Sequence, residues 1–311
     1  MKMAAKGLSM LALTLTAALT APIVAQPKVL PVEVAVTGPT GEVIPGLGRD
    51  DFSVAVDGRP AAIAALAGPG EPLTVVLLLD VSASVLNYSE LGDEIERSFA
   101  KALRPTDRVR VGGIGNRLKL SPRFTSDVRE LVRDGRAAID FPKRERFGPS
   151  PIWDALDEAI RVLAPEPGRR VVILVSDGRS TGNTVSAQAV VDRAVTAGIV
   201  VSGLSDARVQ TISQGGDLVA KVRAGLMMQE LARLSGGLCL PENPPEFGEM
   251  PAAGPLLTRL VNDARAMYTI GVPIEDAGKP VRTLSIQVKR EGATVRSRPA
   301  VVVGARPSSA R

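Results

Sequence analysis

The sequence predicts an α/β fold: a doubly wound, mostly parallel sheet with a flanking β domain built from the N- and C-terminal segments. Three observations predict it. Two short runs, Val75–Leu79 and Val171–Val175, are apolar at every position, as strands covered on both faces are. From Leu73 to Val272 such runs alternate with helical periodicity, the order of a sheet wound with helices. Both ends of the chain show short strand-like patterns broken by turn residues.

Residues 1–25 read as an export signal. Lys2 and Lys6 supply a positive start, Leu8 to Leu19 an apolar middle, and Val24-Ala25 a small-residue end before Gln26. The apolar stretch is short for a spanning helix, so removal is expected, with an uncleaved N-terminal anchor as the alternative. No cysteine stands near the cleavage point to carry a lipid, and no later run approaches membrane-spanning length. The expected location is periplasmic or secreted.

Residues 27–70 form an N-terminal β segment. Val32 to Val36 alternates around Glu33, and Phe52–Val56 runs into the hairpin dipeptide Asp57-Gly58. Ala67-Gly-Pro-Gly-Glu-Pro72 reads as a linker. The α/β core spans 71–273. After the opening strand, a helix is expected over Leu91–Leu103 and a strand over Val109–Ile114. Thr125-Ser-Asp127 can cap a helix running to Ile139. Helices follow over Ile152–Leu163, Ala187–Ala197 and Leu218–Leu234, with strands over Val171–Val175 and Ile199–Leu204. A proline-rich loop from Pro241 to Pro255 precedes a helix from Leu256 to Arg265 and a closing strand, Tyr268–Val272. Residues 274–304 return to β character, with Leu284, Ile286 and Val288 alternating; 305–311 form a disordered tail. Neither β segment has enough strands to stand alone, so the two are expected to pair with each other; two separate hairpins are the alternative.

Composition excludes more chemistry than it suggests. The 311 residues contain no histidine, which removes Ser-His-Asp triads, Cys-His dyads and histidine zinc sites. The single cysteine, Cys239, can form no intrachain disulfide and reads as a buried structural thiol. Net charge is +5, and without Lys2 and Lys6 it is 36 basic against 33 acidic residues, or +3. That balance, with aromatics at 3%, does not describe a nucleic-acid binder. The stretch from Arg104 to Phe147 is richer in base, either as a solvated face or as a surface for an anionic partner. Trp153 and Phe99 read as core anchors, and Asp154 and Asp157 as acids favouring the start of their helix.

The chemistry concentrates at strand ends. Asp80, Ser82 and Ser84 follow the first buried strand, Ser150 precedes a helix, and Asp177 ends the second buried strand. Two carboxylates and three hydroxyls offer only oxygen, which suits a hard divalent cation, Mg or Mn and alternatively Ca, not zinc or copper. Open α/β sheets bind ligands at the carboxyl ends of their strands.

With Asp-Val-Ser-Ala-Ser84, Ser150 and Ser176-Asp-Gly178 in this order, the chain resembles a von Willebrand factor type A (VWA) domain carrying a metal-ion-dependent adhesion site (MIDAS). More closely it resembles the exported bacterial VWFA-related proteins first noted in Acidobacteria. The match extends to Val43–Val54, Phe124-Thr-Ser-Asp127, Ser235-Gly-Gly237, Tyr268-Thr-Ile-Gly271 and Val295-Arg-Ser-Arg298. The resemblance implies a VWA domain over 71–273 and metal-ligand roles for Asp80, Ser82, Ser84, Ser150 and Asp177. It implies metal-dependent protein binding without catalysis, with the partner offering an Asp or Glu to the metal. Ser150 stands for the usual threonine, and Pro149 and Pro151 for the usual Gly and Ala; Pro299-Ala300 replaces Gly-Tyr.

Two other functions compete. A phosphoryl-transfer hydrolase of the haloacid-dehalogenase type would want a second aspartate where Ser82 stands. A metal-free structural envelope scaffold would need none of these ligands. Arg179-Ser-Thr181, beside the third loop, reads as a solvated loop or as a tuner of ligand choice.

Overall fold

The computed structural model describes residues 28–82, 93, 95–205, 218–240, 253–274 and 279–303. The expected export signal, Ser84, most of the Pro241–Pro255 loop and the 305–311 tail lie outside them. The chain opens with β1 (Lys28–Thr37), β2 (Phe52–Val56), β3 (Arg59–Ala61), β4 (Ala65–Ala67) and β5 (Leu73–Asp80). A π-helical turn, Ile95–Phe99, and one α-turn, Ala100–Ala102, are the described part of the helix expected over Leu91–Leu103. Next come β6 (Arg108–Ile114), β7 (Leu118–Leu120), α1 (Val128–Ile139), α2 (Lys143–Arg146), α3 (Ile152–Leu163) and β8 (Arg169–Ser176). Then follow α4 (Ala187–Ala197), β9 (Val200–Ser205), α5 (Leu218–Ser235), β10 (Cys239–Leu240) and α6 (Ala253–Ala266). The last strands are β11 (Tyr268–Ile274), β12 (Val281–Val288), β13 (Thr294–Ser297) and β14 (Ala300–Val302).

The central sheet has the order β10-β9-β8-β5-β6-β7 and is parallel except for β7. β5 and β8 are buried along nearly their whole length because each serves two cores. Leu73, Val75, Leu77 and Leu79, with Val171, Ile173 and Val175, meet Leu131 of α1 and Leu257, Leu260 and Val261 of α6. Val76 and Leu78, with Val172 and Leu174, face Leu156 and Ile160 of α3, Val190 of α4 and Leu231 of α5. The two-residue period of a strand thus sends alternate side chains into opposite helical layers. At Gly113 a Cβ would come within 1.8 Å of the Ala138 carbonyl oxygen, so only glycine lets α1 approach β6 this closely.

Two antiparallel sheets, β13-β1-β11-β4 and β14-β12-β2-β3, draw strands from both ends of the chain. β1 pairs with β13 from Val34↔Ser297 to Thr37↔Thr294, and β2 pairs with β12 from Phe52↔Val288 to Val56↔Leu284. Their facing sides enclose a third core of Val32, Val34, Val36, Phe52, Val54, Tyr268, Ile270, Leu284 and Ile286. Ala35, pointing the other way from β1, joins the core of the central sheet.

One strand is placed differently from the sequence reading. Tyr268–Val272 was expected to close the α/β run, but β11 pairs antiparallel with β1 and β4. An apolar run cannot by itself distinguish a parallel-sheet strand from a sandwich strand. The α6 helix also begins at Ala253, three residues before Leu256, with Pro255 tolerated in its first turn. β3, β4, β7 and α2 are too short to leave a periodic signature.

Candidate functional site

From β5 the chain steps to β6 on one side and later returns to β8 on the other. The carboxyl ends of β5 and β8 therefore flank a switch point, the position where open α/β sheets form a crevice. Their register places Leu79 opposite Val175, so the next residues, Asp80 and Ser176, are neighbours.

Asp80 is fully buried, and its oxygens are held from three sides. Oδ1 accepts from the Ser82 amide at 2.9 Å and from Ser150 Oγ at 3.4 Å. Oδ2 accepts from Ser176 Oγ at 2.7 Å, and that hydroxyl in turn accepts from the Gly178 amide at 2.9 Å. Burial raises the Asp80 carboxyl above the usual range; bonds from Ser176 and Ser82 oppose this, and the Asp177 charge adds to the rise.

Ser150 is positioned by a second loop. Its amide donates to Thr181 Oγ1 at 3.0 Å, and its carbonyl accepts from the Thr181 amide at 2.8 Å. Ser180 Oγ accepts from the Ile152 amide, and Asn183 Oδ1 from that of Trp153, so the loop after β8 satisfies the open amides that begin α3. Asp154 accepts from the amides of Thr184 and Val185 and from Thr184 Oγ1. Burial pushes Asp154 upward, but these bonds outweigh it and leave the carboxyl below its ordinary value. Pro149 is accommodated at Gly182, whose φ is +69° and where a Cβ would lie 2.6 Å from that of Pro149.

Asp177 is buried beside this loop. Its Oδ1 accepts from the Arg179 amide at 2.9 Å, whereas Oδ2 has no hydrogen-bond partner. The fold thus gathers Asp80, Ser82, Ser150 and Asp177 at one rim, while Ser84 lies outside the described residues. Among the described residues no three His, Cys, Asp or Glu side chains form a metal-holding group. Hydroxyls would have to supply the remaining ligands. Sequence reasoning gave no role to Ser176 or Asn183, and it read Ser180 and Thr181 as part of a solvated or ligand-tuning loop, whereas they hold Ser150 and the start of α3. For Ser176 a signal existed, because it occupies on β8 the place that Asp80 occupies on β5.

Other residues have structural roles. Phe99 is fully buried, and Trp153 is partly buried against the α3 core. Asp157 lies beyond the first turn of α3 and pairs with Arg161 and Arg193, so it does not serve the helix start. Cys239 is partly buried, and burial pushes its thiol up to about 11, which leaves it little thiolate. In the basic stretch, Arg117 pairs with Glu145, and Arg123 and Arg133 pair with Glu130.

Among the described residues no helix is long and apolar enough to cross a membrane. None of the curated proteins matches this sequence. Among solved structures, BatB from Bacteroides thetaiotaomicron is 19% identical, with 62% of this chain and 98% of that one aligned at a TM-score of 0.44. An aerotolerance-related membrane protein from Bacteroides fragilis is 15% identical over 62% and 98% of the two chains, TM-score 0.46. The pilus adhesin SpaC from Lactobacillus rhamnosus GG is 12% identical over 83% and 49%, TM-score 0.44. A family model described as "VWA domain containing CoxE-like protein" matches residues 58–231, more than half of the sequence. The chain belongs to this family of VWA-domain proteins.

Proposed function

We propose that the chain is an exported, non-catalytic binding protein. It holds a divalent cation, Mg or Mn and alternatively Ca, at Asp80, Ser82, Ser84, Ser150 and Asp177, and takes an acidic side chain of a protein partner there. One observation carries this reading: the unpartnered, buried Oδ2 of Asp177 at the rim it shares with Asp80 and Ser150. A buried carboxylate oxygen without a partner is costly, and an oxygen-only donor set fits a hard cation. When bound, the cation supplies positive charge and an open coordination position for a carboxylate. The chain supplies the rest. Ser176 and the Ser82 amide fix the angle of Asp80, and Thr181 fixes the backbone of Ser150. The absence of any histidine general base favours recognition over turnover.

Calorimetry with Mn2+ on the mature chain tests the reading, with Asp177→Asn as the comparison. One-site binding that falls by about tenfold or more in the variant is expected, since a charged ligand is lost. No heat and no thermal shift at millimolar Mn2+ would overturn it.

A further inference from the structure

Phe147 is 70% exposed, well above Val281 at 55% and Val128 at 49%. Single exposed apolar residues are ordinary on a surface. Two features set this one apart. It stands three residues before Ser150, so the chain keeps the two within about 11 Å. It also sits on anchored backbone: the Asn116 amide donates to the Glu145 carbonyl, the Glu145 amide donates to Pro142, and Arg117 pairs with Glu145 at 2.7 Å. The exposed residue thus lies two positions from a backbone fixed at Glu145 and three from Ser150 at the rim.

The surrounding charge is basic. Arg144 is exposed, Arg146 adjoins Phe147, and Arg117 remains 61% exposed despite its ion pair. The one acid between them, Glu145, is buried. An exposed aromatic residue in a basic stretch of chain favours a partner surface that is acidic and carries an apolar side chain.

From this we infer that Phe147 and Arg144 form the specificity surface beside the proposed metal site, and that the partner presents an acidic segment with an aliphatic residue next to its metal-directed carboxylate. The inference rests on the metal reading above. Phe147 would cover the aliphatic side chain, and Arg144 would meet the flanking acids. An exposed aromatic residue, with only two side-chain torsions, loses little freedom when a partner docks.

The test uses the mature chain and fluorescein-labelled decapeptides with one central aspartate, measured by anisotropy in Mn2+. One set has a leucine beside the aspartate and glutamates at its flanks; the others replace the leucine by serine, the glutamates by glutamines, or the aspartate by asparagine. The first set should bind best. Phe147→Ala should remove the leucine preference with about a tenfold loss, and Arg144→Glu should remove the glutamate preference. Both variants should keep wild-type Mn2+ affinity and thermal stability. If Mn2+ binds but the sets are indistinguishable, or Phe147→Ala is neutral, the inference is overturned and the metal reading stands. If Mn2+ does not bind, the metal reading fails first. Concentration-dependent self-association abolished by Phe147→Ala would assign the surface to a second copy and overturn the inference.

Discussion

Asp107 and Arg265 form an enclosed ion pair that joins the entry to β6 to the end of α6. The Asp107 carboxylate also accepts from the amides of Leu73 at 2.9 Å and Arg104 at 2.7 Å, while Arg265 donates to the Ala102 carbonyl at 3.1 Å. Removing the carboxylate orphans two amides and leaves a guanidinium with little water around it. Asp107→Ala is expected to cost about 3–5 kcal/mol, read from the urea midpoint of unfolding. A change under about 1 kcal/mol would mean that water replaces the carboxylate.

Gly182 is the second point of leverage. Its positive φ and its contact with Pro149 leave no room for a side chain. Gly182→Ala should cost about 1–3 kcal/mol and weaken Mn2+ binding several-fold, because Thr181, next to it, holds Ser150. Adding Pro149→Gly should recover part of the loss, since it removes the Cβ that crowds the new side chain but not the backbone strain. Thermal denaturation and calorimetry on the three proteins check this.

Asp57 gives a dependence on acid. The Arg282 side chain, then the Thr283 amide, lowers its pKa. The folded value lies below the unfolded one, so the stabilisation is complete above about pH 4 and drains away as pH falls through the folded value. Asp57→Asn retains tolerance for the φ of 50° at this turn but loses the charge. Its melting temperature should lie below that of the wild type at pH 7, and the gap should close on acidification.

Asp80 has the opposite sign. Burial raises its pKa, so the folded chain binds this proton more tightly than the unfolded chain does. The resulting stability is present below the unfolded value and lost as pH rises through the folded one. Without metal, Asp80→Asn should therefore melt higher than the wild type at pH 7, and Mn2+ should shift the wild type alone. A variant that melts lower in chelator would contradict the burial argument.

How much of this was legible follows from what each residue's neighbours contribute. β5 and β8 were readable because both faces are apolar, and the polar residues ending them mark the rim. The pairing of the chain ends followed from their having too few strands apart. The strand pairing of β11 was not readable, because its apolar residues satisfy a sandwich core as well as a parallel one. Nor was the closure of the Ser150 loop by Thr181, Ser180 and Asn183, which depends on hydrogen bonds across about thirty residues. Pro149 drew attention in the sequence, but its counterpart Gly182 is visible only in space.

The interleaving of both chain ends in the two antiparallel sheets has a mechanical consequence. Tension applied between Lys28 and Val302 is carried by β1 against β13 and β11, and by β12 against β14. That load path closes without crossing the central parallel sheet. The rim at Asp80 is joined to those strands covalently only through the β4–β5 and α6–β11 links, and a load on β13 would reach the central layer sideways, through the Arg296–Asp263 pair on α6.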